Sequence, residues 1–157
     1  MAKVTQADFY FGAALSLLFN NNMIPALIEG GDDRRVYKIS TNTSNYDIYM
    51  KYRSKRTTGN EEYSSWQFIF SEDDINEINK LSNDNFKMLL ICGKEKLNKS
   101  EIVILEHNEI KTCLLEADKK SFTISRRKNE KYYRIFMGGG RENSLQIKAN
   151  LLSQIAI

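Results

Sequence analysis

The sequence predicts an α+β fold in a single domain spanning residues 1–157, a mixed β-sheet with an antiparallel meander and about three helices. Three observations carry this. Residues 46–52 alternate, with Tyr46, Ile48, Met50 and Tyr52 on one side and Asp47, Tyr49 and Lys51 on the other. Residues 86–92 form a continuous apolar run closed by Gly93, the pattern of a strand buried on both faces. Two hydroxyl-x-x-carboxylate signals, Thr5–Asp8 and Ser71–Asp74, mark helix starts. Helices and strands then follow as α-β-β-β-α-β-β-α-β-β.

The first helix is expected over residues 5–20. Phe11, Ala14, Leu15 and Leu18 share one face, and Phe9, Ala13, Leu17 and Phe19 make the other apolar too. A helix apolar all round is covered on several sides, by its own fold or by a second copy of the chain. Three asparagines end it. Residues 25–29 read as a short extended or helical piece, and Gly30-Gly31-Asp32-Asp33 as a turn. Residues 36–40, 46–52 and 66–70 are expected to form the three strands of the meander, with a polar loop over 54–64. Acidic residues in the first turn favour a helix from Ser71 to about Ser82. After the buried run come a short strand over 101–105, a helix over 108–115 and a hairpin pairing 121–126 with 132–137. A glycine turn, a last strand over 145–147 and a tail over 150–157, helical or loose, complete the reading.

Composition excludes several classes. Hydrophobic residues make up 41% and charged residues 27%, which argues against disorder. Two cysteines do not make a disulfide scaffold. The strongest apolar run, residues 9–19, is about half the ~20 residues of a membrane span. The start carries no signal-peptide pattern, so a cytoplasmic protein without membrane contact is expected.

The net charge of +3 conceals a segregation. Residues 34–56 hold seven cations against Asp47, and residues 119–134 hold seven against Glu130. Residues 72–84 hold five acids against Lys80. Clustered cations attract polyanions. Lys51, Arg53, Lys55 and Arg56 interleave with Tyr49 and Tyr52, the mixture that holds nucleic acid by phosphate contact and base stacking. Arg126, Arg127 and Lys128 are the second candidate group.

Candidate chemistry starts from one strand. Even spacing puts Asp47, Tyr49 and Lys51 on one face, and Glu29 precedes them. The order helix, three-stranded meander, helix, strand over residues 5–93 resembles the core of the PD-(D/E)xK nuclease superfamily. That resemblance implies a carboxylate on the second strand and a carboxylate-x-lysine on the next, holding magnesium. It would make Asp47, Lys51 and Glu29 the catalytic set. The chain departs from the pattern at Tyr49, two before the lysine, where a carboxylate is required. A nuclease-like core that binds without cleaving is therefore expected, with no cofactor. Magnesium enters only on the alternative of an active nuclease.

Other motifs are weaker. Glu109-Ile110-Lys111 and Asp118-Lys119-Lys120 match carboxylate-x-lysine but fall on a helix and a turn. His107, Cys92 and Cys113 lack zinc-ligand spacing: Cys92 reads as a buried strand thiol, Cys113 as part of an apolar helix face, and His107 as a surface turn. Gly138-Gly139-Gly140-Arg141 is a turn without the lysine and helix of a P-loop. Abundant Asn, Lys and Ile with one proline resemble small proteins of low-GC bacteria, phages and mobile elements. The partners expected are DNA or RNA. The alternative is another protein, met as an inhibitor or accessory module of a phage or defence system, and a homodimer through the first helix is a further expectation.

Overall fold

The structure is a computed structural model, and it describes residues 3–81, 83–137 and 143–149. The glycine turn at 138–141 and the tail at 150–157 lie outside the described residues.

Helix α1 (Gln6–Asn20) begins at Thr5. The Thr5 hydroxyl accepts from the Asp8 N–H and the Asp8 carboxylate accepts from the Thr5 N–H, the expected reciprocal cap. Arg35 pairs with the same carboxylate at 3.0 Å. Thr5 and Arg35 together hold the Asp8 carboxyl at about 2. Asn22 follows in the left-handed region (φ 63°) and turns the chain into the first sheet.

That sheet has the order β1 (Ile24–Glu29), β2 (Arg34–Ser40), β3 (Asn45–Arg53), β6 (Phe86–Cys92), β7 (Glu101–Glu106). β1, β2 and β3 form the antiparallel meander. β6 lies parallel to β3, and β7 antiparallel to β6. The second sheet is β10 (Leu145–Lys148), β9 (Tyr132–Ile135), β8 (Ser121–Arg127), β5 (Tyr63–Ile69), β4 (Thr58–Gly59). Between the sheets in sequence lie α2 (Glu72–Leu81) and α3 (His107–Ile110), the latter continuing in a wider π-turn over Lys111–Leu115.

The α+β class, the meander and the element order agree with the sequence. One assignment needs correction. The aromatic strand around Trp66 is not the third strand of the meander; it pairs with β8 in the other sheet. Its place is taken by residues 24–29, which are extended throughout. The reason is burial. β5 puts Trp66, Phe68 and, just beyond its end, Phe70 into the space between the sheets, so it must face the first sheet and cannot join its edge.

Two apolar cores result. One lies between the sheets and takes Tyr49 from β3, Met88 and Leu90 from β6, and Trp66 and Phe68 from β5. The other lies under α1 and takes Ile48, Met50, Leu89 and Ile91 from the opposite faces of the same strands, with Phe11, Ala14 and Leu18 from the helix. All seven residues of β6 are buried, as its continuous apolar run requires. β3 is covered on both faces too, and that decides the fate of its polar residues.

At the end of these two strands the backbones nearly touch. The Gly93 N–H donates to the Arg53 carbonyl at 2.7 Å. A Cβ at position 93 would lie 2.6 Å from the carbonyl oxygens of Arg53 and Ser54, so only glycine fits. The Gly93 carbonyl accepts from the Trp66 indole at 2.7 Å. Position 93 thus anchors the loop that leaves β3 to both sheets.

Candidate functional site

β3 runs from a polar end through the core to a second polar end, and its candidate residues separate along it. Asp47 sits at the start, partnered across the ladder by Lys38, beside a shallow cleft with Asn83, Asp84 and Asn85. Lys51 sits four residues on, about 13 Å away at strand rise. The structure does not bring Asp47 and Lys51 together.

Lys51 is instead part of a charge cluster whose centre, Lys51 and Asp74, is buried. Its ammonium meets Asp74 Oδ2 at 3.1 Å and Asp33 Oδ2 at 2.9 Å. Arg34, opposite Lys51 on β2, meets Asp74 Oδ1 at 2.6 Å and Glu29 Oε1 at 2.9 Å. Asp74 is fully buried at the first turn of α2, where its carboxylate also accepts the Ser71 N–H at 2.9 Å. Burial pushes the Asp74 carboxyl upward; Ser71, Arg34 and Lys51 outweigh it and hold the group at about 2. One carboxylate therefore caps a helix and neutralises two strand cations. Tyr49 is buried beside it, its hydroxyl near Asp74 but without a hydrogen bond of good geometry among the described residues. Burial, reinforced by Asp74, pushes the phenol far above its ordinary range.

Glu29 and Lys51 thus share a network, but through Arg34 and Asp74. The cluster's carboxylates are occupied by cations. Among the described residues no three His, Cys, Asp or Glu side chains are grouped to hold a metal ion. Both thiols are buried, and burial drives Cys113 up to about 12 and Cys92 upward as well. His107 opens α3, where its ring is only partly exposed and lies 3.9 Å from Asp84, so it is not the surface turn expected.

The other candidates gather elsewhere. Arg53 ends β3, exposed, and Lys55 follows it, exposed. Arg56 is held by Glu95 at 2.8 Å, by the Asn60 carbonyl and by Ser64 Oγ. Ser64 is the ladder partner of Arg126, and the Lys128 N–H donates to the Glu62 carbonyl. Arg126 meets Glu101 at 2.6 Å, and Lys94 reaches the same carboxylate at 2.7 Å. Burial works against ionisation of Glu101, yet Lys94, Tyr133 and Arg126 hold its carboxyl below the usual range. These bonds fasten three loops, 53–64, 93–101 and 126–131, into one end of the molecule. The two basic runs meet there.

That end carries ten cations against Glu61, Glu62, Glu95, Glu101 and Glu130. Arg53, Lys55, Lys96, Lys99, Arg127, Lys128 and Lys131 are exposed, and none pairs with a carboxylate among the described residues. Tyr132, 42% exposed, stands next to Lys131. Tyr49 and Tyr52, singled out from the sequence as stacking rings, face inward: Tyr49 is buried, and Tyr52 stacks on Tyr10 at 4.9 Å. Sequence reasoning missed Lys94, Lys96 and Lys99, although a Lys-Glu-Lys-x-x-Lys turn straight after a buried strand was a usable signal. It missed Tyr132 because nothing in the Tyr132-Tyr133 pair says which ring faces out and which is buried.

No protein family, curated protein or solved structure matches the chain.

Proposed function

We propose that this chain is a nucleic-acid-associated module that binds without cleaving, through the basic end formed by loops 53–64, 93–101 and 126–131. One observation carries the reading: seven exposed cations, unpaired with carboxylates among the described residues, lie on three loops that are fastened to one another, and exposed Tyr132 follows Lys131 on one of them. Cations on loops around a rigid frame meet successive phosphates, and a ring among them accepts a base. The ion pairs Arg56–Glu95 and Arg126–Glu101 fix the loops and leave their outer cations to the ligand. Separation of Asp47 from Lys51 and engagement of Lys51 by Asp74 support binding without phosphodiester cleavage.

The test is fluorescence anisotropy with labelled single- and double-stranded oligonucleotides at low and moderate salt. Log affinity should fall linearly with log salt, and each phosphate contact removed should flatten the slope by about 0.7 to 0.9. Replacing Arg53, Lys55, Lys96, Lys99, Arg127 and Lys128 with Ala should abolish most of the slope. Absence of binding at low salt defeats the reading.

A second reading rests on a different surface. Phe9, Leu17, Phe19 and Leu97 are exposed apolar side chains on or beside α1, and such a patch serves protein contact.

A further inference from the structure

The second sheet turns one face to the first sheet and the other away from it. Ile147 of β10, Tyr133 of β9, Ile124 of β8 and Trp66 of β5 point inward, into the core. Side chains alternate along a strand, so Lys148, Tyr132, Arg127 and Tyr63 point outward. Arg126 agrees with this alternation, since it reaches inward to Glu101 on β7. The registers put the four outward residues in one row. Lys148 lies opposite Tyr132, and Tyr63 opposite Arg127. Ser125 lies opposite Arg134, and the same ladder carried two residues on sets Arg127 beside Tyr132. Across β10, β9, β8 and β5 the row thus reads cation, ring, cation, ring. Arg127 and Lys148 are exposed, Tyr132 is 42% exposed and Tyr63 is partly exposed. Glu130, the acid of the adjoining turn, is taken by Arg134 and by the Arg127 N–H. Ser65 and Ser125, one row in, are buried, so a ligand reaches these rings at the end row.

We propose that this row is a platform for a single strand of nucleic acid: unpaired bases stack on Tyr132 and Tyr63 while Arg127 and Lys148 meet the phosphates. The row extends the basic end described above and depends on that end binding nucleic acid. Neighbouring strands lie about 4.8 Å apart, so two rings with one strand between them stand about 10 Å apart. Consecutive bases of a duplex rise by about 3.4 Å and show only their edges in the grooves, so neither their spacing nor their access suits the row. A single strand can splay its bases and offer the face of each to a ring, with cations alongside for the backbone.

The test is fluorescence anisotropy at low salt with a labelled single-stranded oligonucleotide, its duplex, and an abasic chain with the same number of phosphates. The single strand should bind about ten-fold more tightly than the abasic chain, which cannot stack. Tyr132→Ala and Tyr63→Ala should each weaken single-strand binding by about five-fold or more, with the salt slope and the duplex affinity unchanged. Tyr132→Phe keeps the ring and should bind as the wild type does. Arg127→Ala and Lys148→Ala should each flatten the single-strand salt slope by about 0.7. The abasic comparison uses the unaltered chain, so it decides the matter even where Tyr63→Ala destabilises the sheet. Folded tyrosine variants that bind the single strand like the wild type, or an abasic chain that binds as well as the strand, overturn the proposal and leave the basic-end reading standing. Absence of binding to all three ligands brings down that reading and the proposal with it.

Discussion

Arg34 and Lys51, and Arg53 and Lys55, belong to the same basic stretch of sequence but to different parts of the molecule. The first pair is drawn between sheet and helix and neutralised by Asp74, Glu29 and Asp33. The second pair lies where the chain leaves the sheet beside Gly93, and keeps its charge in water. A run of like charge in sequence is thus not a patch in space. Where β3 is covered on both faces its cations must find carboxylates; where it emerges they need none. The exposed cations come from three loops far apart in sequence, and their strength lies in exposure rather than in count.

The contrast can be broken most forcefully at Asp74. Asp74→Ala leaves Arg34 and Lys51 without their shared partner and should cost about 3–5 kcal/mol in urea denaturation. Acid should approach the same effect. The Asp74 carboxyl titrates at about 2 when folded, below the ordinary 3.8, so its contribution is complete above about pH 4 and is lost as pH falls toward 2. Asp74→Asn should flatten the stability–pH curve over that window. A curve unchanged by this variant would remove Asp74 from the centre of the cluster.

Gly93→Ala attacks the anchor between the two regions. The new methyl meets two carbonyl oxygens that belong to backbone, and the strain should cost about 1–3 kcal/mol in thermal or urea unfolding. Because those carbonyls are Arg53 and Ser54, oligonucleotide affinity should fall with stability. Tyr49→Phe is a smaller change. It removes a buried hydroxyl that has no hydrogen bond of good geometry among the described residues, and stability should hold or rise by up to about 1 kcal/mol. A clear loss would show that the hydroxyl does bond to Asp74. Smallest of all is Arg127→Ala with Lys128→Ala, which should shift stability by less than about 0.5 kcal/mol while reducing the salt slope of binding.

Much of the fold was legible. Alternation located β3, continuous apolarity located β6, and both cap signals marked true helix starts. What alternation cannot give is the identity of a strand's neighbour. Tyr46, Ile48, Met50 and Tyr52 were grouped correctly against Asp47, Tyr49 and Lys51, but nothing local revealed that both groups would be covered, one by α1 and one by the second sheet. That same gap hid the fate of Lys51. Its partner Asp74 lies 23 residues away in an acidic turn that reads, in isolation, as a solvated helix start. The meeting of residues 53–56 with 126–128 was equally invisible, because it depends on the register of β5 against β8.

The central claim, that Lys51 is taken inward on β3 while the cations that follow are released outward, is tested most directly by the urea midpoints of two variants four residues apart. Lys51→Met strips Asp74 and Asp33 of their ammonium and should lower stability by at least about 2 kcal/mol. Lys55→Met changes an exposed charge and should leave the midpoint within about 0.5 kcal/mol of the parent. Equal midpoints for the two, or a larger loss from Lys55→Met, would contradict the account.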